Sequence, residues 1–416
     1  MEESLTITVL ISETAVAGVC AQVLASYSQI PSIVFLLLFG LLLGPDGFGL
    51  LYPSTLGNGL EVVVSLSVSL ILFEGGLNLQ IQQLGKVSST LRNLVTFGVL
   101  ITLIGGTLAA HWLSEFPWLI ALLYASLVVV TGPTVINPLL KQVGVNQQLS
   151  TLLEGEGVLI DPIGAILAVI VLNLVLNGDA EPLILIKSLL VRLSIGGVIG
   201  ISGGYLLRLI LKQDHLLSPE LKNLVVLAGV WGLFTLAQVL RSESGLMVAV
   251  LMGIVLRATT LPEERLLRQF NEQLSILANS ILFILLAADL SINSVFALGW
   301  GSFLTVLVMM LVVRPINVLI STWNGDQSWR EKIFLAWIAP RGIVAASMAS
   351  LFAVSLTKHS INGGDSIKAL VFLTIILTVF SQGLTAPWVA SLLQLRLNHE
   401  GTGIVGCSSS EESQQF

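Results

Sequence analysis

Apolar runs of about 20 residues, the length an α-helix needs to cross roughly 30 Å of hydrocarbon, follow one another along this chain from residue 5 to residue 393. Lipid offers the backbone no hydrogen-bond partners, so such runs must satisfy their own N–H and C=O groups as helices. Composition leaves the same conclusion: 54% of the 416 residues are hydrophobic and 11% are charged, against roughly 25% charged in an ordinary soluble domain. A water-soluble fold of this size has nowhere to hide so much apolar surface. The chain reads as an all-α integral membrane protein.

Polar, Gly, Pro and charge breaks divide it into about thirteen transmembrane helices, at 5–27, 31–44, 58–78, 93–114, 117–140, 150–177, 182–211, 221–240, 245–257, 273–290, 295–321, 331–356 and 365–393. Residues 1–393 form one membrane domain, and 394–416 a short polar cytoplasmic tail. The first run opens with Glu2 and Glu3 instead of a basic segment, so it is read as a retained span and not a signal peptide. Within the tail, Gly401 to Gly406 fits G-x-G-x-x-G, but too few residues follow for a dinucleotide-binding unit. Cys20 and Cys407 lack redox or metal-ligand spacing, and the four histidines fall in loops or near span ends, so no metal and no cofactor is expected. A net charge of −6 gives no reason to expect nucleic-acid binding.

Assigning alternate loops to opposite sides puts Lys86, Arg92, Lys141, Arg208, Lys212, Lys222, Arg257, Arg265, Arg268, Arg330, Lys332 and Arg396 on one side. The other side takes only Lys187, Arg241, Lys358 and Lys368. Basic loops favour the cytoplasm, which predicts a cytoplasmic C-terminus and an external N-terminus. Ile71 to Leu79 in the third span weakly matches Ile284 to Ile292 in the tenth. The fifth span is broken at Thr131-Gly132-Pro133 and the twelfth at Ala339-Pro340-Arg341-Gly342. Both pairs lie seven spans apart. An odd offset implies opposite orientations, the mark of an inverted repeat with its ion site at the interrupted helices.

A charged side chain at mid-bilayer costs about 2.5–3.5 kcal/mol, so each one inside a span needs a partner or a task. The sixth span carries Glu154, Glu156 and Asp161, the last followed by Pro162. At 100° per residue Glu154 and Asp161 share a face while Glu156 points well away. Pro162 loosens the helix beside Asp161, and a carboxylate among freed carbonyls suits a hard cation that prefers oxygen ligands. Asp161 is thus read as the ion site, the alternative being a carboxylate that pairs with an arginine to hold helices together. Arg314, deep in the eleventh span, cannot lose its proton and is expected to pair with Glu156. Arg341 follows the break at Pro340, where its charge can offset the carbonyl ends of a half-helix. Glu74 interrupts the third span; it either lines the route between site and water, as Glu154 does, or snorkels to the interface.

These residues resemble the first monovalent cation:proton antiporter family, the NhaP-type exchangers and their animal sodium/proton exchanger relatives. The likeness runs through Leu72-Phe73-Glu74-Gly75-Gly76-Leu77, Thr131-x-Pro133 and Glu154-Gly155-Glu156 to Asp161. It continues through Arg314-x-x-x-Val318, Arg341-Gly342-x-Val344 and Ser381-Gln382-Gly383-Leu384-Thr385. The resemblance implies an antiporter fold in a homodimer, with the fifth and twelfth helices unwound and crossing beside the sixth. It implies Asp161 as the cation- and proton-binding carboxylate, with Thr131 supplying an oxygen and the helix breaks at Gly132, Pro133 and Arg341 serving the motion. The substrates implied are Na+, with Li+ and K+ as further candidates, exchanged for H+.

The chain departs from the family where Gly132 stands for the usual Asp, Gly157 for Ser, Ile160 for Asn, and Pro162 for a small residue. Fewer oxygen ligands predict weak discrimination between sodium and potassium. The expected activity is electroneutral secondary antiport, not enzyme chemistry, in a bacterial plasma membrane. A cation channel, or a non-transporting ion or pH sensor on the same fold, is the alternative.

Overall fold

A computed structural model describes residues 2–28, 30–57, 59–79, 81–178, 182–212, 218–259 and 264–396. In chain order the helices are α1 (Glu2–Ser28), α2 (Ser32–Leu43), α3 (Gly59–Asn78), α4 (Ile81–Leu113), α5 (Trp118–Val128), α6 (Pro133–Val143), α7 (Gln147–Asn177), α8 (Pro182–Leu211), α9 (Pro219–Leu240) and α10 (Ser244–Arg257). After these come α11 (Glu264–Ala288), α12 (Ile292–Ala297), α13 (Gly299–Val308), α14 (Arg314–Ser321), α15 (Trp329–Trp337), α16 (Ile343–Lys358) and α17 (Gly364–Leu392). A π turn, Met309–Val313, joins α13 to α14. It lies just before Pro315, whose ring and missing N–H disturb the regular ladder. Among the described residues the only β pairing is an isolated bridge between Val145 and Arg396.

Nine helices among the described residues are long and apolar enough to cross a membrane, and α5 with α6, bent by 44° at their break, makes a tenth. The remaining expected spans correspond to α2, α10 and α16, of 12, 14 and 16 residues, each short of the roughly 20 that a straight crossing needs. Two helices run further than their apolar stretch. α4 begins at Ile81 instead of 93 and α11 at Glu264 instead of 273, because polar turns outside the hydrocarbon continue a helix without breaking its hydrogen-bond ladder. The proposed tail from 394 is described only to Arg396; the G-x-G-x-x-G segment, Cys407, His215 and His399 lie outside the described residues.

Two spans that carry helix-loosening or polar residues stay helical. α7 is helical throughout despite Pro162: the proline removes one N–H, but flanking turns packed on α4, α5 and α6 hold the axis. α3 likewise runs unbroken through Glu74-Gly75-Gly76. Its glycine serves a close contact, since a β-carbon on Gly76 would come within 2.3 Å of the Val250 carbonyl on α10. The genuine interruptions are those between α5 and α6 and between α15 and α16. Tyr124 on α5 meets Thr374 on α17 at 2.9 Å, and a buried apolar core built from α2, α3, α5, α10, α11, α16 and α17 surrounds the crossing.

Candidate functional site

The two interruptions touch. A β-carbon added to Gly132 would lie 2.4 Å from the Cα of Gly342, and one on Gly342 equally close to Gly132. Only glycines allow backbones to meet this way. Gly132 N–H donates to the Pro340 carbonyl at 3.1 Å, so the extended segments are bonded across the crossing. Two further freed amides find partners on α17: Ala339 N–H donates to Gln382 Oε1 at 3.0 Å and Arg341 N–H to Thr378 Oγ1 at 3.3 Å. Buried backbone donors are rarely left unmade, and these two side chains meet that need here. Replacing Gly132 by Ala is expected to lower the thermal midpoint in detergent by an amount equivalent to about 1–3 kcal/mol, the usual cost of overpacking. An unchanged midpoint would show that the crossing has slack.

Four half-helix ends meet here, and their chemistry differs by polarity. At the C-terminal end of α5, the Arg341 guanidinium donates to the carbonyls of Val129 and Val130 at 3.3 and 3.4 Å. At the C-terminal end of α15, Arg314 donates to the Leu335 carbonyl at 3.1 Å and to that of Ile338 at 3.3 Å. Each carbonyl end, the negative pole of its half-helix, thus holds one buried arginine. Arg314 also forms a bidentate ion pair with Glu156, one arm of which is 2.9 Å long. Arg341 has no carboxylate within 4 Å among the described residues, and only backbone oxygens receive its charge. The opposite ends, the N-termini of α6 and α16 at Gly132 and Gly342, carry no side-chain cap.

Asp161 faces this crossing. Gly157, Asp161 and Gly164 lie four and three residues apart on one face of α7. A β-carbon on Gly157 would contact Pro133 at 3.2 Å, and one on Gly164 would meet the Val130 side chain at 2.5 Å. The carboxylate between them is therefore turned toward Val130 to Pro133. Asp161 is 2% exposed and its Oδ1 has no hydrogen-bond partner; Thr131, equally buried, has an unpartnered Oγ1. Ile160 is buried against Val99 and Val129.

A cavity of about 250 Å³ lies along α6 from Pro133 to Lys141, and neither Asp161 nor Thr131 is among its lining residues. Glu74, Pro133, Thr134 and Asn137 are in its wall, and the Lys141–Glu272 ion pair, 2.9 Å long, stands among its lining residues. Glu74 accepts from Asn78 at 2.9 Å. Glu154 does not line this cavity: its carboxylate turns back one helical turn to accept from Ser150 at 2.8 Å. Two charges that the apolar spans carry elsewhere are held locally, Asp289 by Lys368 at 2.5 Å and Arg192 by the Ser242 carbonyl at 2.6 Å. Among the described residues no three His, Cys, Asp or Glu side chains converge as a metal site would require.

Gln382, Thr378, Asn137 and Asn279 are parts of this region that sequence reasoning missed as site residues. The available signal was polarity inside apolar spans, as in Thr374-Ile375-Ile376-Leu377-Thr378. It marks such residues without saying which partner each meets.

Interrupted helices crossing at touching glycines, with a buried unpaired carboxylate beside them, are the arrangement in which secondary transporters hold their ion sites. The family model for the sodium/hydrogen exchanger transmembrane region matches residues 11–392, and the chain belongs to that family. It is a multi-pass membrane protein of a transporter family. Na+/H+ antiporter 1 of Methanocaldococcus jannaschii is 27% identical over 412 residues, covering 92% of this chain and 93% of that protein. K+/H+ antiporter NhaP2 of Shewanella sp. is 25% identical, covering 92% of this chain and 66% of its own longer length. Among solved structures, the sodium proton antiporter MjNhaP1 from Methanocaldococcus jannaschii at pH 8 superposes with a TM-score of 0.82 at 24% identity, over 94% of this chain and 99% of that one. The fold is therefore shared with MjNhaP1.

Proposed function

We propose that this chain exchanges a monovalent cation, Na+ or K+, for a proton, and that Asp161 binds one or the other but never both. The observation that carries this reading is the Asp161 carboxylate, buried beside the crossing with an oxygen no protein group engages. An ionised carboxylate in such surroundings is costly unless a cation or proton joins it. Competition for that one group suffices for coupling, because an ionised Asp161 that no neighbour pairs is costly to carry through the apolar barrier, whatever the net charge of the core, and a bound proton or cation removes that cost. One ion for one proton makes the cycle electroneutral. Thr131 Oγ1 and the carbonyls near the break supply further oxygens to the cation, while Glu156 and Arg314 neutralise each other and stay out of the exchange.

Names of relatives support both cations, since Na+/H+ and K+/H+ antiporters occur among them. The proposed setting is a homodimer in a bacterial plasma membrane with the C-terminus in the cytoplasm, which places the cavity beside Lys141 on the cytoplasmic side. Full-length protein in proteoliposomes containing a pH dye tests the proposal. Adding Na+ or K+ outside should drive protons in the opposite direction, with similar apparent affinities because Gly132, Gly157 and Ile160 offer no side-chain oxygen. Cation flux that follows its own gradient without moving protons would make the protein a channel. Strong sodium selectivity would remove the argument from lost oxygens.

A further inference from the structure

Ion pairs tie both ends of α11 to helices of the crossing. Near its start, Glu272 receives the ammonium of Lys141 from α6. Just past its last residue, Asp289 receives the ammonium of Lys368, in the first turns of α17, at 2.5 Å through its carboxylate and 2.7 Å through its main-chain carbonyl. From Glu272 to Asp289 the chain rises about 25 Å at 1.5 Å per residue, so the two pairs stand near opposite faces of the membrane. Their surroundings differ. The Lys141 and Glu272 side chains are 76% and 45% exposed beside the cavity along α6, whereas those of Lys368 and Asp289 are 16% and 27% exposed. An exposed pair holds little, and a largely covered one is screened far less.

Each member of the covered pair is fixed to its own group of helices. The end of α11 is seated on α2, where a β-carbon on Gly44 would come within 2.9 Å of the Ala288 Cα, and the rest of α11 packs mainly on α1, α2 and α3. The start of α17 is seated on α16, where a β-carbon on Gly364 would come within 2.8 Å of the Ala353 carbonyl. Further along, α17 carries the Thr378 and Gln382 that bond the second break. Close-packed contacts of that kind move as units. The pair between the two groups is made by a long, flexible lysine side chain, which releases its partner without repacking either group.

We infer that Lys368 and Asp289 form a clasp that closes the route to Asp161 at the end opposite the cavity, and that the pair must part for the site to open there. This rests on the exchange reading above and adds the contact whose breakage gates one side of the cycle. In the proposed orientation that side is external. A contact made in one state and absent from the other biases the balance between them, so removing the clasp should populate the form open at the far end.

The test has two arms, both in full-length protein. In the first, Lys368→Gln is compared with the wild type by hydrogen–deuterium exchange. Uptake should quicken at least about threefold in residues 343–358 and slow in 133–143, because opening one end closes the other. Asp289→Asn, which leaves the main-chain carbonyl to Lys368, should shift both segments the same way by less, and it serves if the glutamine variant does not fold. Unchanged uptake, or faster uptake in both segments as loosened packing alone would give, overturns the clasp. In the second arm, Lys368→Cys and Asp289→Cys are joined by a short bis-methanethiosulfonate linker after reconstitution, in a chain whose Cys20 and Cys407 are replaced by serine. Cation-driven proton movement should stop on linking and return on reduction. Undiminished exchange by protein that mass spectrometry shows to be fully linked also overturns the clasp. Reciprocal uptake shifts, with no cation-driven proton movement by the wild type, would sink the exchange reading and leave the clasp standing.

Discussion

Proteoliposomes carrying Asp161→Asn are expected to show no cation-driven proton movement above protein-free vesicles, while the purified variant keeps or slightly raises its thermal midpoint. Asn preserves the shape of the side chain but cannot take up and release a proton, and it offers a cation no net charge. Stability should not suffer, because in the parent no protein group engages Asp161 Oδ1 and a buried carboxylate without a partner is itself unfavourable. The loss of transport should therefore be complete and separable from folding. Residual coupled flux would take Asp161 out of the mechanism.

The opposite pattern is expected at Arg314. Arg314→Ala leaves Glu156, 1% exposed, without its counter-charge, and breaking one side of a buried ion pair costs about 3–5 kcal/mol. It also strips the donors from the Leu335 and Ile338 carbonyls at the end of α15. The amount of folded protein should fall sharply, as read by size-exclusion chromatography and the thermal midpoint. Glu156→Gln should be milder, since the amide keeps an acceptor for the guanidinium. Wild-type stability in both variants, accompanied by a large shift in apparent cation affinity, would instead make the pair part of the ion site.

Much of this architecture could be read from residue types. Arg314 needed a permanent anion and Glu156 was the carboxylate turned away from Asp161; the structure joins them. Arg341 beside Pro340 pointed to carbonyl ends, and it meets those of α5, contributed by the other interrupted span. Local chain-breaking chemistry was a poorer guide. Pro162 and the Glu74-Gly75-Gly76 string leave α7 and α3 helical, whereas the fifth and twelfth spans do open, at a glycine in each case. The Gln382 and Thr378 bonds to the second break, and the oxygens of Asn137 and Asn279, depend on which turns face each other. That information resides in the packing and not in any one segment.

Gly132 also has an electrical consequence. The charged side chains buried at the crossing are Glu156, Asp161, Arg314 and Arg341, and with Asp161 ionised they sum to zero. Once Asp161 carries a proton or a cation, the core holds one net positive charge, since position 132 contributes no carboxylate to balance Arg341. On the proposed cycle each half-turn then displaces up to one elementary charge through the field, worth about 2.3 kcal/mol per 100 mV for a full crossing, and the return half-turn reverses it. Steady one-for-one exchange carries no net current, yet a sudden jump in cation concentration on one side should draw a brief capacitive current with no sustained component.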